Sequence, residues 1–222
     1  MVWDPKWEEV FQQQHWGKYP SEELIRFIAR NFYHVKDRGR VRVLEVGCGP
    51  GANLWYMARE GFAVYGIDGS RSAIDQATTR LDLECPDWQG ELQVGDIMSL
   101  PYADASFDAV IDIEALCCNS FEDSCRIIQE IGRVIKPGGK FFSRTFATGC
   151  WGEGTGEPIG HNAWHVSEGP LANKGYARFT DRADLPDLLQ GFQLEELELL
   201  SRTMSGMQHT LKEWLIVAQK QT

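Results

Sequence analysis

A chain of 222 residues can bury one sizeable core and is short for two, so a single domain over 1–222 is expected, given domains of roughly 100–200 residues. Apolar residues at 43% and charged residues at 24% sit near the averages of soluble globular chains, and no apolar run nears the roughly 18 residues of a membrane span, so no membrane association is expected. With 22 basic against 32 acidic residues the formal charge is −10, which disfavours bulk binding to a nucleic acid but not a small or cationic substrate.

Met1-Val2-Trp3-Asp4-Pro5 has neither the basic start nor the apolar stretch of a secretion signal, and a cytoplasmic location is expected. The six cysteines, Cys48, Cys85, Cys117, Cys118, Cys125 and Cys150, show no Cys-x-x-Cys spacing. They read as buried free thiols rather than a zinc ribbon or a redox pair.

Asp4-Pro5 reads as a helix N-cap with proline in the first turn, and Trp3, Trp7, Val10 and Phe11 recur at helical spacing. A break at Trp16-Gly17-Lys18-Tyr19-Pro20 precedes Ser21 and a second helix, whose apolar face carries Leu24, Ile25, Phe27, Ile28 and Phe32. Residues 1–39 thus form a helical cap ahead of the first strand. Over 40–146, strands are predicted at 41–46, 63–67, 92–94, 109–113 and 140–146, alternating with helices over 52–60, from about Ser70, and over 121–135. That alternation implies a mostly parallel sheet with helices on both faces. The segment 147–176 is rich in Gly, Trp and His without periodicity, and reads as a functional loop or lid. A short helix over 181–189 and two strands, 193–200 and 211–218, joined around Ser205-Gly206 as an antiparallel hairpin, complete the region 177–222.

The chemistry concentrates in Val43-Leu44-Glu45-Val46-Gly47-Cys48-Gly49-Pro50-Gly51, a buried strand entering a turn with three glycines and then a helix. Without Cβ atoms the turn can take positive φ and let a ligand lie against the backbone. Gly47, Gly49 and Ala52 also satisfy the Gly-x-Gly-x-x-Gly/Ala pattern, so a nicotinamide-dependent oxidoreductase is a rival. Asp68, closing the second strand, suits a ribose diol in either case. Glu45 just before the turn and Asp96 after the third strand separate the two: a carboxylate there attracts a ligand bearing an ammonium and a sulfonium and repels a pyrophosphate.

Taken together, Val43 to Gly51, Gly66-Ile67-Asp68-Gly69-Ser70, Gly95-Asp96-Ile97, Ser106-Phe107-Asp108-Ala109-Val110 and Val134-Ile135-Lys136-Pro137-Gly138-Gly139-Lys140 resemble a class I S-adenosylmethionine-dependent methyltransferase. The likeness runs from about Arg40 to Thr145. It implies an α/β fold, a three-layer Rossmann-like sandwich whose mostly parallel seven-stranded sheet has one antiparallel strand near its edge. It implies S-adenosyl-L-methionine as cofactor, with Gly47, Cys48, Gly49 and Gly51 in the cofactor turn, Glu45 near the methionine end and Asp68 on the ribose. Asp96 would meet the adenine amino group with Ile97 beside it, and Ile113 would line the site. Gly69, also in the cofactor set, departs from the bulkier residues commoner after the ribose aspartate. Trp16-Gly17-Lys18-Tyr19 resembles segments that cover the cofactor in small-molecule methyltransferases, which puts Trp16 over the sulfonium, a cation–π contact of roughly 0.5–2 kcal/mol.

The expected reaction is methyl transfer to an oxygen or nitrogen of a small molecule, with the N-terminal segment and 147–176 as the lid. A non-catalytic subunit that only binds S-adenosylmethionine is a second rival. No Asp/Asn-Pro-Pro-aromatic signature for nucleic-acid amino groups follows the fourth strand, where Cys117-Cys118 stands. His161 and His165 stand four apart, but the surrounding glycines oppose the helix a shared metal would need, so no metal is expected. His165, flanked by Trp164 and Val166, is the candidate general base, since an apolar setting keeps an imidazole neutral.

Overall fold

The computed structural model describes residues 3–221. At its start Lys6 N–H donates to Asp4 Oδ1 at 2.9 Å and Trp7 N–H to the Asp4 carbonyl at 3.1 Å, so Asp4 closes the first turn of α1 (Lys6–Gln13). Eight residues are too few to hold a helix in water, and α1 fully buries only Val10 and Phe11. Docking supplies the rest. The Glu8 carboxylate accepts from the Ser70 and Ser72 hydroxyls at 2.5 Å each, and the Phe11 carbonyl accepts from Gln76 Nε2 at 2.9 Å. The second helix, α2 (Glu22–Phe32), is capped by Ser21 and buries Leu24, Phe27, Ile28 and Phe32 along one stripe.

Strand and helix then alternate: β1 (Arg42–Val46), α3 (Ala52–Arg59), β2 (Ala63–Asp68), α4 (Arg71–Glu84), β3 (Gln89–Val94), β4 (Phe107–Ile113), α5 (Phe121–Val134) and β5 (Ile135–Phe146). Their pairings are parallel. Both faces of the central strands are covered, which is why they are apolar almost without a break. Val43, Val64, Ala109 and Ile111 face the layer of α2, α3 and α4, where the Phe27 and Phe142 rings stack at 4.9 Å. Leu44, Val46, Ile67 and Val110 face α5 through Ile127, Ile128, Ile131 and Val134. The period-2 alternation of strand side chains divides one sheet between two cores. β5 starts earlier than the predicted 140, because Ile135 pairs with Phe107 before an irregularity, with Gly138 at φ +75, resets the register.

The segment 147–176, expected without regular structure, contains β6 (Glu157–Gly160) and β7 (Ala163–His165), which join β8 (Ala177–Arg178) in a small antiparallel sheet. Strands of two to four residues are too short to show a period. What holds this sheet is a third cluster, in which Cys150, Val166, Leu171 and Phe179 pack on Phe146 and Leu211. A 3-10 turn capped by Asp181 leads into α6 (Leu185–Leu188), and the long hairpin of β9 (Phe192–Met204) and β10 (His209–Lys220) follows. β10 lies between β5 and β9 and is antiparallel to both, giving the order β3-β2-β1-β4-β5-β10-β9. This is the three-layer, seven-stranded sandwich with one reversed strand beside the edge. Among the described residues no helix is long and apolar enough to cross a membrane, and no group of three or more His, Cys, Asp and Glu is placed to hold a metal ion.

Candidate active site

A cavity of about 610 Å³ opens at the carboxyl ends of β1, β2 and β4 and is roofed by residues 3–23 and 170–174. Its floor at one end is the turn after β1. Gly47 and Cys48 donate N–H groups to the Ile67 carbonyl at 2.8 and 3.2 Å, which ties the turn to the end of β2. Gly47 (φ +65) could not carry a side chain in any case, since a Cβ there would stand 2.4 Å from Cβ of Ala115. Asp68 is 6% exposed, and its two oxygens accept N–H groups from Gly49 at 2.9 Å and Ser70 at 2.8 Å. Burial still raises its pKa.

Glu45 is 2% exposed and points from β1 toward the first turn of α3. Oε1 accepts from Asn53 Nδ2 at 2.6 Å, while Oε2 is buried without a partner. Burial pushes this carboxyl up to about 8, against the smaller opposing effect of Asn53, and the neighbouring Asp112 and Asp68 charges push the same way. A buried, half-satisfied acid costs free energy that a bound cation would recover.

The structure brings together on the cavity wall Trp16, Glu45, Gly47, Cys48, Gly49, Asp68, Gly69, Asp96, Ile97 and Ile113. Cys48 is 6% exposed, and burial holds its thiol well above the ordinary range. Asp96 accepts from Met98 N–H at 2.9 Å, turning the chain just past β3. Trp16 packs edge-on against Trp7 and Phe11, and the cation over its ring is Lys174 Nζ at 5.2 Å from the centroid.

Two expected residues are not on the wall. Gly51 (φ +78) sits behind it as the N-cap of α3, where a Cβ would come within 2.8 Å of Cβ of Ala77, so it serves the approach of α3 to α4. His165 is the other. It lies on β7 with a side chain 56% exposed, its Nδ1 3.9 Å from Glu157. His165 ends β7 and Val166, just past the strand, is buried, so the apolar neighbour in sequence does not enclose the imidazole. His161 is equally committed elsewhere, with Nε2 2.9 Å from Asp184.

The far end of the cavity holds groups that the sequence patterns did not single out. Glu114 follows β4 with φ +63, a conformation few non-glycine residues adopt. Asp112 holds that turn: its Oδ1 accepts from Ala115 and Leu116 N–H at 3.0 Å each, and its Oδ2 from Ser143 Oγ at 2.5 Å. The Glu114 side chain is 31% exposed, opening to the cavity, with Oε1 3.7 Å from Arg144 Nη2. Arg144 makes a two-pronged pair with the fully buried Glu213, Nε to Oε1 at 2.8 Å and Nη2 to Oε2 at 2.7 Å. Depth in the molecule, with the Glu213 carboxylate close by, pushes Glu114 up to about 8, against the nearby Arg144. The one sequence signal for Glu114 was its place directly after a central strand, where ligands of open α/β sheets bind.

Comparison with known proteins agrees with this architecture. Residues 43–139 match the family model described as a methyltransferase domain. The methyltransferase GfsG of Streptomyces halstedii is 36% identical over 135 residues, 57% of this chain and 48% of the relative. The O-methyltransferase resE of Aspergillus sclerotiorum is 30% identical over 156 residues, covering 70% of this chain and 52% of the relative. The chain therefore spans about half the length of these curated relatives. Among solved structures, a SAM-dependent methyltransferase of Methanosarcina mazei shares the fold at a TM-score of 0.66 and 23% identity, over 81% of this chain and 92% of that one. Residues 43–139 are thus a methyltransferase domain, and the chain is similar to class I S-adenosylmethionine-dependent methyltransferases. The site's own chemistry fits that family's cofactor: a turn without side chains, a buried aspartate braced by two backbone N–H groups, and an orphan carboxylate oxygen beside them.

Proposed function

We propose that this protein binds S-adenosylmethionine at the β1–β2 end of the cavity and methylates an oxygen or nitrogen of a small molecule held at the Glu114 end. The unpartnered Oε2 of Glu45 carries the reading. A buried carboxylate beside the glycine turn suits a cationic ligand and repels a pyrophosphate, which weighs against a nicotinamide dinucleotide. In this reading Asp68 holds the ribose, Asp96 and Ile97 flank the adenine, and Gly47, Cys48 and Gly49 let the ligand lie on the backbone. The bound cofactor supplies an electrophilic methyl group on a sulfonium.

The chain contributes enclosure and proton handling. Residues 3–23 and 170–174 roof the cavity, and holding the acceptor in line can supply several kcal/mol of the barrier. Glu114, rather than His165, takes the acceptor's proton: it lines the cavity, and a carboxyl near 8 is matched to a hydroxyl far better than an ordinary carboxylate. An oxygen acceptor is favoured by this match, and the similar protein resE is itself an O-methyltransferase. The test incubates the protein with methyl-labelled S-adenosylmethionine and fractionated small metabolites, beside a titration with NAD and NADP. Label in a small molecule supports the proposal. Tighter binding of a dinucleotide, or tight cofactor binding with no acceptor labelled in any fraction, refutes it.

A further inference from the structure

The glycine at position 69 differs from those of the β1 turn. Gly47, Gly49 and Gly51 have positive φ and need to be glycine for backbone reasons, whereas the φ of Gly69 lies outside that region and any residue could adopt it. The atoms nearest to a side chain there all belong to one residue. A Cβ on Gly69 would meet Cδ1 and Cγ of Trp3 at 2.2 Å each and Cδ2 at 2.4 Å, and these three atoms are its nearest contacts. Trp3 and Gly69 both line the cavity, together with Asp96 and Ile97. The segment that carries Trp3 is anchored independently, through Glu8 on the Ser70 and Ser72 hydroxyls and through Phe11, which lies 3.4 Å from where a Cβ of Gly49 would be.

We infer that the indole of Trp3 is a wall of the adenine pocket, delivered by the N-terminal segment into the space that the absent side chain of Gly69 leaves. This rests on the reading of the cavity as an S-adenosylmethionine site. Its consequence is that the adenosine end is closed by the roof and not by the sheet, so the roof must lift for the cofactor to exchange. An indole face beside a purine gains stacking that an aliphatic side chain on the strand end would replace only in part.

Calorimetric titration with S-adenosylhomocysteine on Trp3→Ala, Gly69→Leu and the double variant tests this. Trp3→Ala should weaken binding by about tenfold, and adding Gly69→Leu should bring the Kd back to within about threefold of wild type by refilling the wall from the strand end. Gly69→Leu alone should expel Trp3, read in the ligand-free protein as faster hydrogen exchange over 3–13. Unchanged affinity in Trp3→Ala, or a double variant no better than Trp3→Ala, would overturn the inference. So would tighter binding in Trp3→Ala, which would make the indole a plug. If wild type fails to bind S-adenosylhomocysteine at all, the cofactor reading falls and takes this inference with it, whereas binding that ignores Trp3 removes the inference alone.

Discussion

Glu45→Gln probes the electrostatic selection of the cofactor with little change of shape, because the amide keeps an Oε1 able to accept from Asn53. In the ligand-free protein Glu45 titrates at about 8, so at pH 7 roughly one molecule in ten carries the charge. A bound sulfonium and ammonium favour the ionised form and lower that pKa. Binding therefore releases a proton, and affinity rises with pH until it levels off near the free-protein value. Each pH unit below that value costs about tenfold, or roughly 1.4 kcal/mol, and at 2% exposure solvent does little to screen it. Among the described residues no histidine lines the cavity to mimic the effect. Calorimetry with S-adenosylmethionine between about pH 5.5 and 7.5 stays below the ligand's own amino titration, near 7.7–8.0. Wild type should bind on the order of 50- to 100-fold more tightly at the upper end, and Glu45→Gln less than about threefold. Buffers of different protonation enthalpy should report the released proton in wild type only. A flat wild-type profile, or equal slopes in both proteins, would refute the assignment of Glu45 to the cationic end.

Three further outcomes are expected. Asp68→Ala should weaken S-adenosylhomocysteine by more than about tenfold, because it removes the proposed ribose acceptor and frees the Gly49 and Ser70 N–H groups that brace the turn; unchanged calorimetric affinity in a folded variant counts against it. Once an acceptor is known, Glu114→Gln should lower kcat by about 10²-fold with cofactor affinity intact, while His165→Gln keeps wild-type turnover; the reverse pattern would restore His165 as the base. Arg144→Met strands the buried Glu213 carboxylate and should cost about 3–5 kcal/mol in urea unfolding, more than half of it regained by adding Glu213→Gln; a loss below about 1 kcal/mol would show the pair to be expendable.

The end of the cavity proposed for the cofactor was legible because its parts are local. Glu45, Gly47, Cys48 and Gly49 lie within five consecutive residues of one strand and turn, Asp68 closes the apolar run of β2, and Asp96 stands two residues past the end of β3. Strand and helix periods are properties of adjacent residues, so the order of elements from β1 to α5, and hence the parallel sheet, follow from reading along the chain. Gly51 and Gly69 show the limit of that reading. Both are glycines at the site, but one is kept small by a second helix and the other by an indole 66 positions away in sequence.

The opposite end was decided by contacts between distant segments. Glu114 meets Arg144 because β4 and β5 pair in parallel with Ile113 opposite Arg144, and Glu213 joins them because β10 enters the sheet antiparallel beside β5. Neither register is set by a pattern within one strand, since it depends on which edge is left for the final hairpin to fill. His165 stands off the cavity for a related reason: its neighbours in sequence are apolar, yet it sits at the exposed end of β7, and only the docking of the small sheet on Phe146 and Leu211 determines which of its residues are covered. Local chemistry along the chain therefore specified the elements and the glycine turn, while long-range packing, whose partners no window of sequence contains, determined what lines the Glu114 end of the cavity.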